Sequence, residues 1–208
     1  VLELSPSSRW PKGAGPIIVV GTREELPALH PSLAFLSEAS APGAEGFTHV
    51  VRGEGPTHAD VDGEDARGVL YGVGRLLRKA VWSQGRLLIP ADLEISTAPR
   101  YPIRGHQLGN RDVNNTYEAW TAEQYDSYIR DLALFGANSI EIIPPFIGDY
   151  LTNRPLRVLP SDEMMPRIIE AIDSYGLDVW AWYANQEEGI DEHVDPGDKA
   201  FNDPAFVQ

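Results

Sequence analysis

TAEQYDSYIRDLALFGANSIEII, residues 121–143, carries a complete helix signal followed directly by a strand signal. Thr121 and Gln124 have the spacing of a capping box, in which the two side chains satisfy backbone groups at a helix start. Gly136 marks the helix end, because glycine readily adopts the left-handed conformation that closes many helices. The apolar stretch 139–143 then predicts a buried strand. The segment therefore predicts one helix and the strand that follows it.

The same alternation continues on both sides of this segment. Candidate strands lie at 103–108, 139–143 and 177–183, and helices are predicted over 121–135 and from Ser161 to Gly176. Short turns from each helix into the next strand are typical of consecutive βα units in a parallel sheet. We expect the first three βα units of an incomplete (β/α)₈ barrel, with a doubly wound sheet as the alternative. Three strands cannot close a barrel, so we expect the chain to be part of a longer protein.

The first half of the chain predicts a smaller α/β layer. Candidate strands lie at 17–20, 47–51 and 59–62, and the large apolar side chains of 65–79 recur on one helical face. Prolines within 98–102 disfavour both helix and central strand, which places the boundary there. The expected fold class is α/β. A small α+β N-terminal domain at 1–98 is followed by a truncated barrel domain at 99–208.

Composition excludes several functional classes. With 17 Lys and Arg against 31 Asp and Glu, the formal charge is −14, which argues against nucleic-acid and membrane-surface partners. The chain has no cysteine, and its five histidines are scattered without a metal-ligand spacing. The Gly-Val-Gly sequence at 72–74 lacks the third glycine of a dinucleotide-binding loop. No metal or other cofactor is therefore expected.

The sequence leaves the compartment open. No apolar run approaches the roughly 20 residues that span a bilayer, which predicts a soluble protein. The chain begins at Val1 without Met or a leader, so a targeting segment has been removed or was not included. Secretion and a periplasmic location are both compatible with this pattern, and the oligomeric state is not predicted.

Polar and aromatic side chains are dense near the predicted barrel strands. Ligands bind beyond the carboxyl ends of such strands, and mixed hydrogen-bonding and aromatic groups suit a sugar. The candidate substrate-binding residues are Arg104, His106, Asn110, Arg111, Glu141, Trp182 and Tyr183. For the cluster around Arg104, the alternative is a solvated loop in which this arginine pairs with a carboxylate.

Glu141 alternates with Ile140 and Ile142, so its side chain is expected to face the barrel interior. A carboxylate there needs a partner, which we expect to be Arg104 or a ligand hydroxyl, and a purely structural ion pair is the alternative. Trp180 and Trp182 share one face of the third strand, and either of them could instead be a core residue.

Two stretches resemble known glycosidases. Glu45-Gly46-Phe47 and the sequence GVLYGVGRLLR at 68–78 look like the non-catalytic N-terminal domain of the α-glucuronidase family, and β-N-acetylhexosaminidases carry a similar domain. PRYPIRG at 99–105 is similar to the start of the catalytic barrel in both families. In the hexosaminidases, an arginine in the position of Arg104 contacts sugar hydroxyls.

The resemblance implies a glycoside hydrolase that acts on O-glycosidic bonds of a poly- or oligosaccharide. An α-glucuronidase-like activity is the first expectation, with Arg104 and Arg111 as candidates to neutralise a uronate. The alternatives are a β-N-acetylhexosaminidase-like enzyme and a non-catalytic carbohydrate-binding fragment. The catalytic carboxylates of both families lie on later barrel strands, so the catalytic residues are unknown and the fragment alone is expected to be inactive.

Overall fold

The computed structural model contains nine strands and four helices within the residues that it describes. These are residues 7–11, 16–52, 58–108, 116–142, 158–159 and 161–181. The strands are β1 (Ile17–Thr22), β2 (Phe47–Arg52), β3 (His58–Gly63), β4 (Val81–Ser83), β5 (Arg86–Leu88), β6 (Glu94–Thr97), β7 (Gly105–Leu108), β8 (Ser139–Ile142) and β9 (Asp178–Ala181). The helices are α1 (Leu26–Leu29), α2 (Ala66–Lys79), α3 (Ala122–Leu134) and α4 (Ser161–Ser174), with 3₁₀ turns at Pro31–Ser37 and Thr116–Ala119.

The first sheet is mixed and has the strand order β1-β3-β2-β6. β1 and β3 are parallel, whereas β2 runs antiparallel to both β3 and β6. α2 covers one face of this sheet, where Val61 and Leu76 are buried together. The three strands and the helix predicted for this part of the chain are confirmed. β6, α1 and the β4–β5 hairpin were not predicted.

The second sheet is parallel, and its strand order β7-β8-β9 follows the chain. α3 and α4 cover one of its faces, with Ile129, Ile140 and Ile172 fully buried in the shared core. This order agrees with consecutive βα units, as the sequence predicts. The incomplete barrel and the domain boundary near 98 stay predictions. Below, the first sheet with α2 is the first unit, and the second sheet with α3 and α4 is the second unit.

Three glycines in α2 allow close approaches of the helix backbone. A Cβ atom at Gly74 would lie 1.9 Å from the Leu134 carbonyl oxygen in α3. At Gly68 it would lie 2.1 Å from the Gly46 carbonyl oxygen, and at Gly72 2.7 Å from a methyl group of Val61. Close packing thus offsets the low helix propensity of glycine, as expected from the sequence. α2 therefore packs both against the first sheet and against α3 of the second unit.

The capping box of α3 is confirmed and provides a stability prediction. The Thr121 hydroxyl accepts a hydrogen bond from the Gln124 amide at 3.3 Å, and the Gln124 side chain accepts one from the Thr121 amide at 2.8 Å. Thr121→Ala should therefore lower the free energy of unfolding by about 1 kcal/mol. Urea unfolding of the intact protein measures this, with Thr121→Ser as the control that keeps the hydroxyl. Equal midpoints for Thr121→Ala and the parent would contradict the assignment.

Candidate functional site

The register of the second sheet places three side chains in one row. Gln107 on β7 is paired with Glu141 on β8, and Glu141 is paired with Trp180 on β9. The alternating residues Leu108, Ile140 and Ile142 are buried against α3 and α4. Because side chains alternate along a strand, the row faces away from these helices. We call Gln107, Glu141 and Trp180 the inner row.

The inner row combines a hydrogen-bonded pair of polar side chains with an exposed aromatic ring. The Gln107 amide nitrogen donates a hydrogen bond to Oε2 of Glu141 at 2.6 Å. Trp180 beside them is 52% exposed, so much of its indole is accessible. An oriented carboxylate, an amide and an exposed aromatic ring together match the hydroxyl groups and apolar face of a sugar ring.

The partner of Glu141 differs from the expected one. The sequence suggested Arg104 or a ligand hydroxyl, whereas the described partner is Gln107. Arg104 lies one residue before β7, at the amino end of the sheet, and its guanidinium contacts other groups there. The expectation of a Glu141–Arg104 pair is therefore wrong. The orientation of Glu141, away from Ile140 and Ile142, agrees with the prediction.

His106 lies on the face opposite the inner row. Its Nε2 atom is 3.1 Å from the Tyr128 hydroxyl and 3.5 Å from the Tyr117 hydroxyl. The His106 and Tyr128 rings pack edge to face with centroids 5.4 Å apart. The structure thus does not bring His106 together with Glu141, and its predicted substrate contact stays untested.

Arg104 has protein partners for each of its guanidinium nitrogens. Nε donates to the Gly136 carbonyl and Nη1 to the Tyr101 carbonyl, both at 2.7 Å. Nη2 donates to Glu45 at 2.5 Å and to the Tyr71 hydroxyl at 3.1 Å. These contacts match the alternative in which Arg104 pairs with a carboxylate. They hold the side chain at the sheet end opposite to the one where ligands of parallel sheets bind.

The remaining predicted site residues, Asn110, Arg111, Trp182 and Tyr183, lie outside the described residues. Two members of the inner row, Gln107 and Trp180, are not among the predicted site residues, although the sequence places Trp180 on the same strand face as Trp182. The signal that could have selected them is their register with Glu141 across the sheet. That register can be predicted only if the first residue of each strand is known.

Other ionisable groups of the described residues do not form a metal centre. No group of three or more His, Asp or Glu within this part is arranged to hold a metal ion. Asp60 and Asp62 are buried on β3, where His58 lies 3.5 Å from Asp60 and Arg23 lies 3.9 Å from Asp62. None of the helices described is both long and apolar enough to cross a bilayer.

Comparison with known proteins gives a similarity of fold. No protein-family model and no curated protein matches the chain. Among solved structures, CpGH84B is 16% identical with a TM-score of 0.51 and covers 76% of this chain. A glycoside hydrolase family 20 β-N-acetylglucosaminidase is 20% identical over 68% of this chain, with a TM-score of 0.49. A GH20 exo-β-N-acetylglucosaminidase from Vibrio harveyi, in complex with N-acetylglucosamine, is 13% identical over 86%, with a TM-score of 0.47.

The three matched proteins are longer than this chain. The likeness to CpGH84B shows a shared fold, which is consistent with the mixed α/β architecture described above. The chain spans 26% of the length of CpGH84B, 31% of the length of the family 20 β-N-acetylglucosaminidase and 34% of the length of the Vibrio harveyi protein. None of these three proteins is named as an α-glucuronidase, so that assignment stays a prediction.

Proposed function

We propose that the protein to which this chain belongs is a glycoside hydrolase, and that the inner row forms part of its sugar-binding surface. The observation that carries the proposal is the hydrogen-bonded Gln107–Glu141 pair beside the exposed Trp180. Such a row offers hydrogen-bond donors and acceptors for hydroxyl groups and an aromatic surface for the ring. The resemblance of residues 45–47, 68–78 and 99–105 to glycosidases, and the fold shared with CpGH84B, support it.

The reaction class follows from the proposal. A carboxylic acid would protonate the leaving oxygen, and a second carboxylate or a substrate acetamido group would assist at the anomeric carbon. The resemblance puts both catalytic carboxylates on later strands. Glu141 is therefore proposed to bind and orient the sugar, with one of its oxygens held by Gln107.

Charge bears on the choice between the two candidate substrates. The α-glucuronidase-like activity needs an arginine or lysine against the uronate. The inner face of the described strands carries the Glu141 carboxylate and contributes no lysine or arginine, and Arg104 is bound elsewhere. These observations favour an uncharged sugar at this row, and thus the β-N-acetylhexosaminidase-like alternative. A role for Arg111 against a uronate stays a prediction.

A substrate panel tests the proposed activity. The full-length protein is assayed with p-nitrophenyl α-glucuronide, N-acetyl-β-glucosaminide and β-galactoside. Release of nitrophenol from one of them is expected, and the productive sugar distinguishes the two enzyme readings. Binding of sugars without turnover of any glycoside would instead support a carbohydrate-binding protein and contradict the hydrolase proposal.

Trp180→Ala tests whether the inner row contacts the sugar. Loss of the exposed indole should weaken binding of the best panel substrate about tenfold, equivalent to about 1.4 kcal/mol. Titration calorimetry with the free monosaccharide of that substrate, which carries no glycosidic bond to hydrolyse, measures the change. Trp82→Ala is the matched control, because Trp82 is 57% exposed and lies on β4 outside the second sheet. Equal affinities of the two variants would remove the inner row from the proposed site.

A further inference from the structure

One carboxylate connects the first unit to the second. Oε1 of Glu45 accepts a hydrogen bond from Nη1 of Arg67 at 2.9 Å, and Oε2 accepts one from Nη2 of Arg104 at 2.5 Å. Arg67 belongs to α2 of the first unit, whereas Arg104 immediately precedes β7 of the second. The Glu45 side chain is only 18% exposed, so water screens these pairs less than it screens surface pairs.

The contacts of Glu45 reach the amino ends of all three parallel strands. Arg104 immediately precedes β7, and Asn138 immediately precedes β8. The backbone amide of Arg104 donates a hydrogen bond to Oδ1 of Asn138 at 2.8 Å. The Asn138 side chain in turn donates to Oε1 of Glu45 at 3.3 Å. Arg67 links Glu45 to β9, because its Nη2 atom donates a hydrogen bond to Oδ1 of Asp178, the first residue of β9, at 2.7 Å. Each strand is therefore joined to one carboxylate, directly or through one side chain.

The backbone at Glu45 is held in an unusual conformation. Its φ angle is +55°, in the left-handed region that non-glycine residues seldom occupy. The Glu45 amide donates to Oδ2 of Asp65 at 2.8 Å, and Oδ1 of the same aspartate caps α2 at the Gly68 amide. Such a conformation persists only where several contacts fix it. The carboxylate of Glu45 is thus presented from a rigid support.

We propose that Glu45 is a positioning residue that fixes the relative placement of β7, β8 and β9, and through them the inner row at the other end of the same strands. The amino ends of the parallel strands are then held in place by their contacts with the first unit and with Glu45. Only the link from the row to sugar binding rests on the proposed function; the placement of the strands does not.

The ionised state that this role needs is favoured at neutral pH. Partial burial alone would raise the pKa of Glu45, but hydrogen bonds from Arg67, Arg104 and Asn138 outweigh it and hold the pKa below its usual range. The carboxylate therefore keeps both guanidinium partners well into the acidic range.

Hydrogen exchange of the intact protein, followed by mass spectrometry, tests the placement. Glu45→Gln removes the charge and keeps the shape, and should speed amide exchange at least tenfold in 105–108, 139–142 and 178–181. Exchange in β2 and β3 should stay near the parent rate. Glu38→Gln, a change at an exposed carboxylate between β1 and β2, is the control and should leave amide exchange in all strands unchanged.

Arg67→Gln provides the second variant, in case Glu45→Gln fails to fold. It breaks the link to β9 and leaves the Arg104–Glu45 contact, so exchange should rise in 178–181 more than in 105–108. A general stabilising role would instead raise exchange evenly in both sheets, and that pattern would overturn the proposal. If the strand-specific pattern holds while Trp180→Ala leaves sugar binding unchanged, the proposed sugar-binding role of the inner row fails and the positioning role of Glu45 stands.

Discussion

Gly74→Ala should lower the free energy of unfolding by about 2 kcal/mol, although alanine is the better helix former. A Cβ atom at this position would lie 1.9 Å from the Leu134 carbonyl oxygen and 2.9 Å from its Cα atom. These are backbone atoms of α3, which cannot turn aside as a flexible side chain can. The two helices must separate, and the hydrogen bond from Arg78 to the same carbonyl, 2.7 Å long, is then strained or lost.

Helix propensity and close packing have opposite effects on the free energy of unfolding of Gly74→Ala. Replacing glycine in a helix interior gains about 1 kcal/mol in propensity, whereas overpacking a close contact costs about 1–3 kcal/mol. Loss of a hydrogen bond adds about 1 kcal/mol to the cost. Urea unfolding of the intact protein measures the sum. A variant that is as stable as the parent, or more stable, would mean that α2 and α3 do not approach this closely.

Two companion substitutions separate the contact from the propensity. Arg75→Ala changes the exposed neighbour on the same helix and should stay within about 0.5 kcal/mol of the parent. Gly68→Ala introduces a Cβ atom 2.1 Å from the Gly46 carbonyl oxygen, a contact inside the first unit. It should be destabilising as well, but without faster amide exchange in α3.

Local sequence signals predicted the elements that are set by local chemistry. The capping box of Thr121 and Gln124 involves only four consecutive residues, and Gly136 and Gly176 end their helices with φ angles of +103° and +66°. Neither signal depends on the rest of the fold. The predicted apolar strands were found as well, with ends that differ by one or two residues.

The elements that were not predicted have little apolar patterning. β6 is an edge strand that pairs only with β2 in the described sheet, and three of its four residues are exposed. β4 and β5 have three residues each and are largely exposed. A strand that buries few side chains leaves no alternation in the sequence, because alternation records burial on one face. These strands are specified by pairing with neighbours instead.

The site was harder to predict because its contacts depend on register and on distant residues. The expected strands began at residues 103 and 139, and aligning them would place Glu141 beside Gly105. The observed register pairs Gly105 with Ser139, and this shift of two residues brings Gln107 to Glu141. The partner of Arg104 is Glu45, 59 positions earlier in the chain. No local pattern reports a pairing over that distance.

Asp62→Asn should stabilise the protein at neutral pH and have little effect in acid. Asp62 is 1% exposed on β3, and burial raises the pKa of its carboxyl group to about 6. Arg23, 3.9 Å away, opposes this rise, whereas the carboxylates of Glu64 and Asp60 add to it. In the unfolded chain the same group has its ordinary pKa of 3.8. The folded state therefore holds a proton that the unfolded state releases between these two values.

The sign of the pH dependence follows from this difference. Below about pH 3, well under the ordinary pKa of 3.8, the carboxyl group is neutral in both states and carries no penalty. As the pH rises toward 6, the unfolded chain ionises first, and stability falls by up to about 3 kcal/mol, a loss that persists at higher pH. Asparagine resembles the neutral form, so the variant should gain about 2–3 kcal/mol over the parent at pH 8, well under 1 kcal/mol at pH 4 and close to nothing near pH 3.

Urea unfolding of parent and variant across pH 3–8 measures the effect of Asp62, because the titrations of groups distant from it are common to both proteins and cancel in the difference. Asp92→Asn, at an exposed turn position, is the matched control and should give a difference near zero throughout. A constant difference between pH 4 and pH 8 would show that Asp62 does not titrate on folding. Loss of stability on Asp62→Asn at pH 8 would mean that the ionised carboxylate stabilises the sheet through Arg23, because that attraction would then exceed the cost of burying the charge.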